Sequence, residues 1–233
     1  MKVLVTGAAG FIGSKTVNEL HDLGHDVISI DNESATSNEK FYWHKKVRGW
    51  KHDICDAGAI DAVFAYHKPD AVLHCAAQAR IQIGFDSPLD TYKTNYLGTV
   101  TLLEACIEHK CKRFVFASTS SSYGLANDIP LREDYKTDCL TPYSISKVAA
   151  EKACKDYHKN WGLETMTLRY FNVYGDRQPI KGPYAPVIGL FHRQRETGKD
   201  LTIVGNGNQT RDFTNIDDVV NANILALTGI YKD

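Results

Sequence analysis

A doubly wound α/β fold, with a parallel sheet covered by helices on both faces, is what this sequence predicts. Three observations carry the expectation. Short β-branched runs alternate with amphipathic helical stretches through the first half of the chain, three glycines sit where the first run meets the first helical stretch, and the second run ends in an acidic residue, Asp31. Strands alternating with helices imply βαβ crossovers, and such crossovers build parallel sheets.

In chain order, KVLVTG reads as the first strand, Phe11 to Leu23 as a helix and HDVISID as the second strand. DAGAIDAVFAYH reads as a helix and DAVLHCAA as a strand. Residues 87–109, SPLDTYKTNYLGTVTLLEACIEH, read as one long helix with Ser87 as N-cap and Pro88 at its first position, where a missing N–H costs nothing. CKRFVFAS is a further strand. TPYSISKVAAEKACKDYHKNWG is a helix capped by Thr141, opened by Pro142 and ended by Gly162. ETMTLRYFNVYG closes the series as a strand running into a loop. From Gly175 the texture becomes loop-rich, with one helix (about Pro186 to Thr197), one short strand (LTIV) and a last helix, IDDVVNANILALTG.

The 233 residues suffice for one sizeable core with a smaller lobe, and 43% hydrophobic with 24% charged residues is the balance of an ordinary soluble protein. A net charge of −1 without a long basic run gives no electrostatic case for nucleic acid or a membrane surface. No apolar run approaches bilayer length and Met1 leads directly into a strand, so a cytoplasmic location without a leader is expected. Cysteines 55, 75, 106, 111, 139 and 154 form no C-x-x-C and read as reduced thiols, and no metal ligand is assigned among the scattered histidines.

VTGAAGFIGS places Gly7, Gly10 and Gly13 around Phe11 and Ile12 at the first strand–helix turn. Glycines let a backbone approach a diphosphate, and the following helix offers N–H groups and the positive end of its dipole. The spacing is G-x-x-G-x-x-G, a variant of the G-x-G-x-x-G dinucleotide fingerprint. Asp31, followed by Asn32, ends the second strand 18 residues beyond Gly13. A carboxylate there accepts hydrogen bonds from ribose hydroxyls and repels a 2′-phosphate, which favours NAD over NADP. Lys15 is either a dissenting cation or a solvated helix lysine. Asp53 and Ile54 either meet an adenine edge or are a capping Asp and a core Ile. A Rossmann-type, NAD-binding domain is thus expected over 1–174, with a small, C-terminally shortened substrate lobe over 175–233 whose helix 217–228 packs back on it.

TPYSISK sets Tyr143 and Lys147 four apart behind a proline, on one helix face, where phenol and ammonium can address one point. The spacing alone also suits an ordinary surface Tyr and Lys.

With the glycines, TNYLGT, FVFASTSSSYG, TPYSISK and LRYFNVYG in this order, residues 1 to about 228 resemble the extended short-chain dehydrogenase/reductase family. Within it they are similar to the nucleotide-sugar epimerases, such as the 4-epimerases of UDP-glucose, UDP-N-acetylglucosamine and UDP-glucuronate. The resemblance implies Tyr143, Lys147 and Thr119 as catalytic residues, with Ser120 beside Thr119 toward the sugar. It makes Asn95 a mainly structural helix asparagine that borders the cofactor site, as do Ala76 and Ala77. It gives Asn172 and Arg211 to the nucleotide diphosphate, although Arg211 also suits a surface salt bridge. A free tyrosine has a pKa near ~10 and is a poor base, so a neighbouring lysine ammonium is expected to lower it. Thr119 would hydrogen-bond the sugar hydroxyl and relay its proton. The implied reaction is transient oxidation at C4, turning of the 4-keto sugar and return of hydride to its other face.

Dehydratases and the UDP-glucuronate decarboxylase on this scaffold carry an acidic residue after the catalytic Ser/Thr; here Ser120, Ser121 and Ser122 stand there, which argues for the epimerase. Arg80, in a stretch read as a loop, CAAQARIQIG, departs from the family's small hydroxyl residue, and either alters sugar choice, reaches a phosphate or carboxylate, or points to solvent. Asp176 replaces a frequent proline, and Arg177 has no assigned contact. The resemblance stops before the C-terminal segment that completes the family's sugar pocket, so sugar identity is not readable. A binding module without turnover, or a dehydratase or reductase on the same scaffold, are the competing readings. The family's four-helix interfaces make a homodimer through helices 87–109 and 141–161 the expectation.

Overall fold

A computed structural model describes residues 1–35, 40–180 and 186–229. Six strands, β1 (Lys2–Thr6), β2 (Asp26–Ile30), β3 (Arg48–Trp50), β4 (Ala71–His74), β5 (Arg113–Thr119) and β6 (Glu164–Tyr170), form one sheet in the order β3-β2-β1-β4-β5-β6. Every pairing is parallel. The side chains alternate between faces with the strand period of two. Leu4, Ile28, Phe114 and Phe116 point into one core with Phe64 of α2 (Ala57–His67) and Leu102 and Leu103 of α5 (Gly98–Glu108). Val3, Val5 and Val115 point into the other core, against Val17 and Leu20 of α1 (Phe11–Asp22) and Leu227 of α8 (Ile216–Thr228). Burial on both faces is why the central strands read as continuous apolar runs.

The long α6 (Pro142–Trp161) forms where the sequence supplies a capping box: Thr141 Oγ1 accepts from the Ser144 N–H and Ser144 Oγ accepts from the Thr141 N–H. Gly162 in the left-handed region ends it. A small parallel pair, β7 (Val173–Tyr174) and β8 (Thr214–Asn215), follows the sheet, with α7 (Val187–Glu196) between them in sequence. α8 lies on α1 and the sheet: Asn223 accepts from Tyr170 Oη at 2.5 Å and donates to Thr16 Oγ1 at 3.2 Å. Arg113 Nη1 donates to the carbonyls of Leu227 (3.0 Å) and Gly229 (2.6 Å), pinning the far end of α8 to the start of β5.

Three expectations need correction. Residues 87–109 are not one regular helix but α4 (Pro88–Tyr92), a π-helical turn over Lys93–Leu97, and α5. Ser87 holds the N-cap position, yet its hydroxyl donates to the Asp90 carboxylate at 2.8 Å instead of capping backbone. Part of the CAAQARIQIG loop and its continuation is helical, as α3 (Ile81–Asp86). LTIV, residues 201–204, is not a strand: it is exposed and has no pairing neighbour among the described residues, and β-propensity without a partner ladder does not make a strand.

Candidate active site

The chain runs outward from β1 to β2 and β3, then returns to the other side of β1 with β4, so the strand order reverses there. A crevice opens at such a point, beyond the carboxyl ends of the strands. A cleft of about 520 Å³ lies there, walled by the turns after β1, β2, β4 and β5 and by the start of α6.

Gly7 and Gly13 are required by the cradle's geometry. A Cβ on Gly7, at φ +65°, would stand 2.8 Å from the Ala76 nitrogen, and one on Gly13 would stand 2.1 Å from the Gly7 carbonyl oxygen. The α1 N-terminus can therefore press against the β1 turn, with Gly10 as its N-cap. Gly7, Gly10, Phe11, Ile12 and Gly13 all line the cleft. So do Asp31, Asn32, Ile54, Ala76 and Ala77. Asp31 is fixed at the tip of β2: one carboxylate oxygen accepts from the Ala9 N–H at 3.0 Å, the other from the Glu33 N–H at 2.7 Å. Burial nevertheless raises its pKa, with these hydrogen bonds opposing. Asp53 is one layer back. It receives Asn32 Nδ2 at 2.9 Å and the Cys55 N–H at 2.8 Å, and these bonds outweigh desolvation to hold it below its usual range. Ile54 packs against Gly98 of α5, where a Cβ would come within 2.6 Å of its Cδ1.

At the other end, Tyr143 and Lys147 line the cleft from the first two turns of α6. Lys147 is 2% exposed, with its ammonium 4.0 Å from the centre of the Phe116 ring. Desolvation pulls its pKa down to about 8. Thr119, the last residue of β5, is buried; its Oγ1 accepts the Ser121 N–H at 3.1 Å and bonds toward Tyr143. Lys147 was expected to lower the tyrosine, but burial raises Tyr143 and the Thr119 hydrogen bond alone opposes it. The ammonium is turned to Phe116, and a phenol out of water resists ionisation.

Asn95 does not line the cleft; it sits in the π-turn and latches two of the cleft's walls. Its Oδ1 accepts the Gln78 N–H at 2.7 Å, and its Nδ2 donates to the Gln78 carbonyl and to Ser146 Oγ of α6, each at 3.0 Å. Ser120 opens a short 3₁₀ turn behind Thr119. Asn172 and Arg211 are exposed outside the cleft lining: Asn172 Nδ2 donates to the Asp212 carbonyl at 2.8 Å and Arg211 Nη1 to the Thr210 carbonyl at 2.7 Å. Lys15 pairs with Asp176 and Asp217 at 3.7 and 3.6 Å, and Arg177 Nη1 donates to Ser14 Oγ at 3.0 Å, so both brace α1. Arg80 is half-buried in the cleft wall, and desolvation lowers its pKa. Gln78, Cys75, Ser118 and Tyr170 also line the cleft and were missed; their positions at strand ends were the available signal.

A tight strand–helix turn, which no side chain at Gly7 or Gly13 would allow, therefore lines one side of the cleft. A family model described as "NAD dependent epimerase/dehydratase family" matches residues 3–232. The chain belongs to this family. Among its relatives, a putative UDP-glucose 4-epimerase of Methanocaldococcus jannaschii is 38% identical over 226 residues, 97% of this chain and 73% of that protein. The UDP-glucose 4-epimerase of Thermotoga maritima, solved with UDP-glucose, superposes with a TM-score of 0.94 at 36% identity, covering 98% of this chain and 74% of that one. The Thermus thermophilus UDP-glucose 4-epimerase, solved with NAD, gives 0.91 at 33%, with 99% and 75% covered. The family's doubly wound α/β scaffold is thus the fold of this chain. Among the described residues no helix is long and apolar enough to cross a membrane.

Proposed function

We propose that this protein inverts C4 of a nucleotide-activated hexose, with NAD in the cleft and Thr119, Tyr143 and Lys147 as catalytic residues. One observation carries the reading: Tyr143 and Lys147 line the cleft beside Ser118, whose neighbour Thr119 hydrogen-bonds Tyr143, and the only carboxylate lining the cleft among the described residues is Asp31, at the tip of β2. Elimination of water needs an acid or base beside the sugar; inversion through a ketone needs one group to take and return the hydroxyl proton. The names of the relatives support the same reaction.

The glycine turn would hold the diphosphate of NAD, Asp31 its adenosine ribose, and Ala76 and Ala77 would border its nicotinamide. When bound, NAD supplies the hydride acceptor and donor. Tyr143 takes the proton of the C4 hydroxyl and later gives it back. It must be ionised to do so, and the Lys147 ammonium stabilises that phenolate before the proton arrives and after it returns. Thr119 Oγ1, one of whose two lone pairs accepts the Ser121 N–H, keeps its own hydrogen to donate toward Tyr143 or the sugar. Residues 175–233 would form the substrate lobe, with Asn172 and Arg211 toward the nucleotide diphosphate. A homodimer through residues 87–109 and 141–161 would cover Leu89, Leu97, Ile145 and Trp161, which are exposed on these segments.

Incubation with a panel of UDP- and other nucleotide-activated hexoses, read by NMR of the anomeric protons, tests the reading. A C4-inverted product that disappears in Tyr143→Phe is expected. Binding of NAD and nucleotide sugar without product from any member of the panel would overturn it in favour of a binding module.

A further inference from the structure

Glu151 stands four residues beyond Lys147 on α6, on the same helix face. Its carboxylate reaches two strands at once. One oxygen accepts a short hydrogen bond from Ser118 Oγ and another from Arg169 Nε at 3.0 Å; the second oxygen accepts from Arg169 Nη2 at 2.7 Å. Ser118 and Arg169 are opposite one another in the β5–β6 register, so one carboxylate ties the helix to both strands at the level of the cleft. Ser118 lines the cleft and directly precedes Thr119. The Arg169 guanidinium also lies 4.7 Å from the centre of the Tyr123 ring, which closes the turn following Thr119. The side chains of Glu151 and Arg169 are only 12% and 19% exposed, so this is not a solvent-screened surface pair.

Lys147 is surrounded by groups that carry no negative charge. From the end of β4 it is faced by His74 and Cys75; burial keeps the imidazole neutral and pushes the thiol up to about 12. From α6 it is faced by Cys154, also pushed up to about 12. Phe116 of β5 offers a ring face. The Tyr143 phenol of α6 and the Tyr170 phenol of β6, which also line the cleft, are both raised by burial. Among the described residues that act on Lys147, the Glu151 carboxylate is then the one anion.

We infer that Glu151 is a positioning residue for this site: through Ser118 it holds Thr119 against α6, and from one helical turn away it sets a negative charge toward the Lys147 ammonium. The inference rests on the proposed reading of Tyr143 and Lys147 as a chemical pair, and goes beyond it by naming what favours the charge on Lys147 and keeps Thr119 in register.

The test is an NMR titration of the Lys147 side chain in protein labelled with isotopic lysine, assigned by Lys147→Met, with no substrate present. In the wild type the midpoint is expected at about 8. Glu151→Gln should lower it by about half to one pH unit, the effect of losing one charge about a helical turn away in a partly wet site. Glu151→Asp, which keeps the charge but shortens the reach, should restore most of the shift. Since Glu151→Gln alone leaves Arg169 uncompensated, Glu151→Gln combined with Arg169→Gln should retain a lowered midpoint. Ser118→Ala should leave the midpoint unmoved while lowering kcat more than KM for the epimerised sugar. An unmoved midpoint in folded Glu151→Gln, an aspartate that behaves like glutamine, or a shift that vanishes in the double variant would overturn the electrostatic role. Unchanged kcat in Ser118→Ala would overturn the Thr119 role. A wild type that titrates as stated yet epimerises nothing would defeat the proposed reaction and leave this charge relation standing.

Discussion

Replacing Lys147 by methionine should make the protein more stable while abolishing its chemistry. The ammonium is 2% exposed, and burial moves its pKa from 10.5 to about 8. The folded-state value is depressed below the unfolded one, so the folded protein pays for carrying the proton. Below pH 8 both states are protonated and the full penalty applies: about 2.5 pH units at 1.36 kcal/mol each, or about 3 kcal/mol. Between 8 and 10.5 the folded state loses its proton first and the penalty shrinks; above 10.5 it is gone. Methionine keeps a sulfur–aromatic contact with Phe116 but sits in a site shaped for lysine, a misfit that costs about 1–1.5 kcal/mol. A net gain of about 1–2 kcal/mol remains at pH 6.5, or a rise in Tm of about 2–8 °C for a chain of this size. Urea and thermal unfolding of both proteins at pH 6.5 and at pH 10 would measure it. A variant less stable at pH 6.5, or a difference that does not narrow toward pH 10, would refute the picture of a desolvated ammonium.

Three further outcomes are expected. Gly13→Ala forces a Cβ to within 2.1 Å of the Gly7 carbonyl, so it should destabilise the fold by at least about 1–3 kcal/mol and remove NAD binding in calorimetry; near-normal NAD affinity would contradict the cradle. Asn95→Ala strands both backbone groups of Gln78 and should cost about 1–3 kcal/mol in urea unfolding, with weaker cofactor affinity because the loop after β4 is released. Sedimentation at micromolar concentration should give a dimer for the wild type and a monomer for Leu97→Glu, and a monomeric wild type would remove the proposed interface.

The scaffold was legible because its signals are local. Glycines at a strand–helix turn, an acid at the tip of β2 and a Thr-Pro helix start each state a backbone need that a single stretch of sequence can express. Tyr143, Lys147 and Thr119 were singled out through motif order; Tyr143 and Lys147 both line the cleft, and Thr119 hydrogen-bonds Tyr143. What failed needed partners distant in sequence. LTIV has strand residues but no strand beside it. The direction of the Tyr143 shift depends on how much water reaches a phenol, and spacing on a helix says nothing of that. The Glu151–Arg169 pair joins a helix and a strand whose side chains, 18 positions apart, meet only where α6 packs on β6. Asn95 was noticed as an asparagine on a helix; that it sits in a wider turn was not, because no residue type marks one.

That wider turn works as a phase counter. A π-turn holds one residue more than the α-helix around it, so the faces of α4 are turned about 100° around the axis from where an unbroken helix continuing from α5 would set them. Removing a single residue between Lys93 and Leu97 would let the segment relax into regular α-helix without breaking the chain's hydrogen bonding. It would also rotate everything before it, carrying α3 and the loop after β4 off their seats. Length in this segment is therefore under tighter constraint than residue identity: a neighbour swapped in place leaves the rotation intact, whereas a one-residue deletion resets it for the whole wall of the cleft.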